Sequence, residues 1–295
     1  MPCGSELRAY ILERKERHMF FKETRERYIV KCRTEVKYRS RITQFSAMLN
    51  DMGVYLIVKS RKCVRFMNAH LVNEESDNFV ISLENLHKKI KSILKRQKKD
   101  YDKYAYFYGH PYQSLGILSI FGERPSEERF DSYGLADVVS KDDYVLDIGC
   151  NCGFMSVLTS YRTGARTYGI DINPYMIEIG QECASFLKID NKVKLDAKRM
   201  QDFELSDDGE KFTVVYSFAT HWTDDENYRV TIQEHLGKIH SLMAKGGTLV
   251  FETHCSDVGN PEFYKSMEEM RELFEWDGFM ETDKGERELY YMKKR

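Results

Sequence analysis

From about residue 140 onward, short apolar runs alternate with amphipathic stretches. Residues 144–148 (Tyr144-Val145-Leu146-Asp147-Ile148) make one strand-length run, and a glycine turn closes at Gly153. Residues 154–161 read as a helix, 167–171 as a second strand and 174–187 as a second helix. In that helix Met176, Ile179, Cys183 and Phe186 recur at spacings of three and four, and Asn173 stands ready to cap its first turn. Residues 192–195 form a weaker third strand and 212–218 a fourth. Residues 232–243 read as a helix closed by Gly246-Gly247, and 248–252 as a fifth strand. Residues 279–282 and 289–292, separated by Asp283-Lys284-Gly285-Glu286, form a terminal hairpin. Strands alternating with helices predict an α/β fold: a doubly wound, mainly parallel seven-stranded sheet with a C-terminal antiparallel hairpin.

The upstream pattern is different. Residues 1–45 mix Arg, Lys and Glu with Tyr, Phe and Ile and read as helix. The β-rich runs 54–59 and 63–67 flank Ser60-Arg61-Lys62 as a hairpin. Residues 83–99 read as a helix, with Leu83, Leu86, Ile90 and Leu94 on one face and Lys88, Lys89, Lys91, Lys95, Arg96, Lys98 and Lys99 on the other. A Tyr-, Gly- and Pro-rich connection follows, in which Pro125 and Ser126 fit a helix start. These patterns divide the chain into a basic N-terminal α+β region, 1–105, and a second domain, 106–295.

Charge sharpens that division. Residues 1–100 carry 23 Lys and Arg against 12 Asp and Glu, while the rest carries 22 against 35. A basic half suits a polyanion such as RNA, or else docks on the acidic half. The seven cysteines have no repeated spacing, and Cys150 and Cys152 are too close within one turn for an unstrained disulfide. A reduced, cytoplasmic setting is expected. The N-terminus does not read as a signal peptide, and no apolar run of about 18 residues predicts a membrane span.

The chemistry concentrates in Asp147-Ile148-Gly149-Cys150-Asn151-Cys152-Gly153, between a strand and a helix. Such a turn is expected to offer backbone N–H groups and let a ligand approach closely. The next strand ends in Asp171, suited to the ribose hydroxyls of an adenosine-containing cofactor. A dinucleotide fingerprint would need glycine at positions 149, 151 and 154. Here Asn151 and Phe154 stand at the last two, and Phe154 would crowd a pyrophosphate.

The run 145–153 resembles motif I of class I S-adenosylmethionine-dependent methyltransferases. Gly169-Ile170-Asp171-Ile172-Asn173 resembles the acidic motif that follows it, and residues 242–250 resemble that family's entry into strand five. The likeness covers roughly residues 140–255 and leaves 1–105 uncovered. Where the family usually has glycine this chain has Asn151, a residue that also tolerates positive φ. The resemblance implies S-adenosylmethionine as cofactor, with Asp147, Gly149, Asn151 and Gly153 along its methionine and ribose, Asp171 on the ribose hydroxyls and Ile172 on the adenine. Asp196 and Asp202 compete for the adenine amino group, Asp202 favoured by its distance to strand four. Ser217 and the residues after it, through Trp222, are expected to face the sulfonium.

Methyl transfer needs alignment, exclusion of water and, for a hydroxyl acceptor, a base. His221, at the carboxyl end of strand four, is the first candidate; a role beneath the cofactor is the alternative. Glu252 and His254 follow strand five and can also reach an acceptor, but as a metal pair they would be underfilled, so no metal is expected. Arg129 and Arg124 fit the cofactor carboxylate or an anionic substrate, or else salt bridges to Glu123, Glu127 or Glu128. Tyr108, Tyr112 and Trp222 fit either an acceptor wall or core packing. The expected activity is methyl transfer to an O or N atom of a polar small-molecule or glycan-type acceptor. An RNA methyltransferase that grips phosphates with the basic N-terminal region, and a noncatalytic binding module of the same fold, are the alternatives.

Overall fold

The computed structural model describes residues 74–100, 110–205, 209–221, 230–282 and 286–295. The readings for residues 1–45, for the 54–67 hairpin and for the 105/106 boundary lie outside them, as do Tyr108 and Trp222. The helices are α1 (Glu74–Asp100), α2 (Ser126–Ser132), α3 (Leu135–Val138), α4 (Phe154–Thr163), α5 (Pro174–Phe186), α6 (Ile232–Leu242) and α7 (Pro261–Glu269). The main strands are β1 (Tyr144–Ile148), β2 (Arg166–Asp171), β3 (Val193–Ala197), β4 (Phe212–Phe218), β5 (Met243–Glu252), β6 (Phe274–Thr282) and β7 (Arg287–Lys294). Among the described residues, no helix is long and apolar enough to cross a membrane.

The chain separates into two units. The first contains residues 74–89 and Ser114–Gly122. There Leu83 and Leu86 are buried, Leu115 and Ile120 pair as an antiparallel bridge, and His87 Nε2 lies 2.8 Å from the Leu118 carbonyl. The second unit holds Ile90–Gln113 and Glu123–Arg295, and with them the whole sheet.

The seven strands run in the order β3-β2-β1-β4-β5-β7-β6. β3, β2, β1, β4 and β5 are parallel, and β7 joins β5 antiparallel before pairing with β6. The chain winds outward from β1 to β3, then crosses to β4 on the other side of β1. That reversal opens a crevice at the carboxyl ends of β1 and β4, where doubly wound sheets bind ligands. The expected α/β class and terminal hairpin match this architecture.

Parallel strands covered on both faces must be apolar along their length. Val145, Leu146, Val214, Val215, Tyr216, Leu249, Val250 and Phe251 are buried accordingly. On one face Leu146, Val215 and Phe251 join Ile232, Leu236 and Ile239 of α6 and Phe263 and Met267 of α7 in a single cluster. Removing the fully buried Phe251 ring would cost about 3–5 kcal/mol. On α4 the chain buries Phe154, Met155, Val157 and Leu158 in succession.

Two local expectations change. The Gly246-Gly247 pair does not close α6, which ends at Leu242; it lies inside β5, where the register with β4 shifts. Glycine suits such a bulge because the backbones come close: a Cβ on Gly247 would stand 2.9 Å from the Thr213 carbonyl oxygen. Helix α7 is additional; Asn260 caps it by accepting from the Glu262 N–H at 3.0 Å, and Pro261 occupies its first turn.

Candidate active site

The glycine turn leaves β1 with Gly149, Asn151 and Gly153 all at positive φ, 64°, 54° and 63°. Close packing adds to the demand for glycine. A Cβ on Gly149 would fall 2.4 Å from Thr220 Cγ2, and one on Gly153 would fall 2.7 Å from Leu195 Cδ2. Helix α5 presses on the same turn: a Cβ on Gly180 would meet the Cys152 carbonyl oxygen at 2.3 Å.

The amides of this turn are engaged more than the sequence suggests. Cys150 N–H donates to the Ile170 carbonyl (3.0 Å) and Gly153 N–H to the Cys150 carbonyl (2.8 Å). Asn151 N–H donates to Asp171 Oδ2 (2.8 Å), and Phe154 N–H to Gln113 Oε1 (3.3 Å). The expected row of available N–H groups is therefore largely spent inside the protein, which suits a ligand without phosphates better than a pyrophosphate. One atom of the turn stands apart: Asn151 Oδ1 is buried with no hydrogen-bond partner. An orphaned buried acceptor costs about 1–3 kcal/mol and marks a place for a donor.

Asp171 ends β2, half-buried. Its second oxygen accepts from the Asn173 N–H at 2.9 Å, so one carboxylate ties the turn to the start of α5. The Asn173 side chain caps α5 as expected, accepting from Tyr175 N–H (3.0 Å) and Met176 N–H (3.3 Å). Beneath the turn, Asp147 is buried and accepts from Ser156 Oγ at 2.7 Å. Burial, opposed by Ser156 and Arg129, pushes its carboxyl up to about 6. Cys150, Cys152 and Cys183 carry free thiols whose pKa values burial raises, which leaves them unreactive.

Beyond β3, Asp196 bonds the Tyr168 hydroxyl and lies 3.7 and 3.8 Å from the Lys194 and Lys198 ammonium groups, whereas Asp202 is exposed in the following turn. Ile172 is half-buried beside Asp171.

After β4 the chain bends through Ala219 at positive φ, and Ala219 N–H donates to the Glu252 carbonyl. Ser217 is fully buried. Its hydroxyl lies 2.9 Å from both Thr220 Oγ1 and His235 Nε2. The His221 ring is enclosed against Phe251 and Phe263, with Nε2 2.9 Å from Asp257 Oδ2.

The most heavily charged place in the site forms around Glu252, which is fully buried at the end of β5. Arg129 Nη2 donates to its Oε2 at 3.2 Å and Arg287 Nη1 at 3.3 Å. Arg124 Nη2 lies 3.9 Å from Oε1, and the Tyr133 hydroxyl donates to that same oxygen. Arg129 also covers the Phe218 ring at 5.0 Å. Burial pushes the Tyr133 hydroxyl up to about 12, so it stays a donor. Arg124 and Arg129 thus share Glu252 as a partner. Residue types marked Glu252, Arg124 and Arg129 separately and gave no sign of Arg287, since no period links residues 35 positions apart.

His254 follows two residues later. It is partly exposed, its Nδ1 lies 2.7 Å from Ser256 Oγ, and its backbone N–H donates to Asp257 Oδ2 at 2.7 Å. Desolvation first and the nearby Arg287 charge second lower its pKa, so the ring is neutral at pH 7. Among the described residues, no group of three or more His, Cys, Asp or Glu side chains could hold a metal ion.

This strand order, with a glycine turn at the switch point and a carboxylate ending the neighbouring strand, defines a Rossmann-like α/β domain suited to a nucleoside. A family profile described as a methyltransferase domain matches residues 139–295, and the chain belongs to that family. Among solved structures, it is similar to geranyl diphosphate C-methyltransferase from Streptomyces coelicolor A3(2), with 14% identity, coverage of 72% of this chain and 98% of that one, and a TM-score of 0.47. It is also similar to an RNA methyltransferase from Salinibacter ruber, with 18% identity, 57% and 91% coverage and a TM-score of 0.41. No relative among curated proteins matches it.

Proposed function

We propose that this protein transfers a methyl group from S-adenosylmethionine to an O or N atom of a polar small molecule. The observation that carries the cofactor reading is the orphaned Asn151 Oδ1 on a glycine turn whose Asn151 N–H is held by Asp171 at the end of β2. The ammonium group of this cofactor is a donor of the kind Asn151 Oδ1 lacks, and no phosphate is needed. When bound, the cofactor supplies a methyl group already activated on a sulfonium.

The residues then divide the work. Gly149 and Gly153 keep the turn close enough to line the ligand, Asp171 holds the ribose, and Asn151 accepts from the methionine end. Ile172 offers an apolar surface to the adenine, and Asp202, exposed after β3, offers the adenine amino group a carboxylate. Asp147 steadies the turn from below through Ser156. Arg129, whose charge acts on Asp147, faces the methionine carboxylate. Ser217 holds Thr220 over Gly149. His254, neutral and partly exposed, takes the proton of the acceptor; His221 supports the β4 loop, and Glu252 orders the arginines.

Calorimetric titration with S-adenosylhomocysteine tests this reading. The wild-type chain binds, and Asp171→Ala weakens binding about tenfold or more, the worth of one charge-assisted hydrogen bond. Unchanged affinity in that variant would sink the cofactor reading. The basic face of α1, with Lys91, Lys95, Lys98 and Lys99 exposed, favours RNA as the second acceptor reading. That reading requires RNA affinity to fall steeply as salt rises.

A further inference from the structure

We infer that His235, on helix α6, is a positioning residue for the methyl-donor site and acts on Gly149 through Ser217 and Thr220. The inference rests on the methyl-donor reading of the glycine turn and assigns that turn a support from a helix on the face of the sheet.

Alternation along a strand puts Thr213, Val215 and Ser217 on one side of β4. On that side Val215 joins Leu236 and Ile239 of α6 and Phe251 of β5 in the apolar cluster. Ser217, two residues on, breaks the apolar pattern, and so does His235 opposite it on α6. Ser217 is fully buried and His235 is 2% exposed. Polar groups so enclosed need partners inside the protein. These two supply one another: His235 Nε2 lies 2.9 Å from Ser217 Oγ. Burial first and the neighbouring His221 ring second push the His235 pKa down to about 3, so the ring is neutral at pH 7 and brings no charge into the cluster.

The link continues to the turn. Ser217 Oγ also lies 2.9 Å from Thr220 Oγ1. Threonine carries a hydroxyl and a methyl on one Cβ, so fixing the hydroxyl fixes the methyl. With Oγ1 at Ser217, the Thr220 methyl lies where a side chain at position 149 would stand: a Cβ on Gly149 would fall 2.4 Å from Thr220 Cγ2. Rotation to another staggered well would carry that methyl off Gly149 and take a wall from the turn. The platform under His235 is itself fixed by a capping box. Thr231 Oγ1 accepts from the Glu234 N–H at 3.1 Å, and the Thr231 N–H donates to Glu234 Oε2 at 2.8 Å. Apolar groups of the same shape can hold α6 on β4 as well as a serine and a histidine do. They cannot hold the Thr220 hydroxyl.

Calorimetric titration of the full chain with S-adenosylhomocysteine tests this, with circular dichroism checking that each variant is folded at the titration temperature. His235→Leu should weaken binding about fivefold, the worth of one hydrogen bond. His235→Gln and His235→Asn separate positioning from packing. Both place an amide in the same site, but the glutamine amide reaches the position of Nε2 and the asparagine amide only that of Nδ1. His235→Gln should stay within about twofold of wild type, and His235→Asn should fall as far as His235→Leu. Ser217→Ala removes the same link, so adding His235→Asn to it should cost less than about twofold more. If His235→Leu does not fold, the glutamine and asparagine variants decide the matter alone. Three results would overturn the inference: affinity within about twofold of wild type for His235→Asn, whatever its melting temperature; a loss for His235→Gln as large as that for His235→Asn; or additive losses for His235→Asn and Ser217→Ala. A wild-type chain that does not bind S-adenosylhomocysteine would remove the donor reading and this inference with it, whereas a binding wild type beside unaffected variants would remove the inference alone.

Discussion

Replacing Glu252 with alanine removes a buried carboxylate on which Arg124, Arg129, Arg287 and Tyr133 converge. Three positive charges, each less than one-fifth exposed, then face one another without their common counter-ion. Breaking a buried ion pair by deleting one partner costs about 3–5 kcal/mol. Partial access to water moderates the arginine side of that cost, while complete burial of Glu252 holds it up. We expect about 3 kcal/mol for Glu252→Ala and about half of that for Glu252→Gln, which keeps one acceptor oxygen. At about 2–4 °C per kcal/mol for a domain of this size, the alanine variant should melt roughly 10 °C lower. Urea unfolding followed by circular dichroism measures both variants, and an unchanged slope with denaturant supports a simple loss of stability. An alanine variant within about 0.5 kcal/mol of wild type, far below the buried-pair cost, would refute the reasoning.

Other expectations follow from the same geometry. Gly153→Ala forces a side chain into positive φ and against Leu195; it should cost about 2 kcal/mol or more and be visible as a lower melting temperature together with weaker S-adenosylhomocysteine binding. Asp147 has a folded pKa of about 6, above its value of about 3.9 in an unfolded chain. Here the folded state binds the extra proton, so stability falls as pH rises between these values, by on the order of 2–3 kcal/mol. Unfolding of the unliganded Asp147→Asn variant should lack that descent; an identical pH profile would contradict the assignment. On the proposed reading the neutral His254 ring takes the acceptor's proton, so methyl transfer to a hydroxyl acceptor should fall only as pH drops below the ordinary histidine range. Removing the opposing charge with Arg287→Gln should shift that acid limb upward, while Asp257 and His221 remain beside the ring.

Local order was legible because local physics writes it. Alternating apolar runs and amphipathic stretches gave β1 to β4 and α4 to α6 with ends within a few residues. The Asn173 cap, the positive φ values at Gly149 and Gly153, and the asparagine tolerated at 151 all follow from the conformational ranges of single residues. Asp147 and Asp171 were legible for the same reason, since each ends a strand read from its own composition. Helix α7 and the early start of β5 were not, because a short amphipathic stretch and a glycine bulge carry no distinctive period.

Charge partners were a matter for the assembled sheet. Residue types marked Arg124 and Arg129 as anion binders, yet their shared partner, Glu252, is more than a hundred positions along the chain, and Arg287 reaches it from a hairpin paired antiparallel to β5. Burial worked in the same way. His221 and His254 are equal as histidines in a sequence, but packing encloses one against Phe251 and Phe263 and leaves the other partly exposed. Hydrophobic periodicity and turn propensity act over a few residues, so they name elements. Register, desolvation and ion pairing act across the sheet, so only the folded chain could decide which side chains meet.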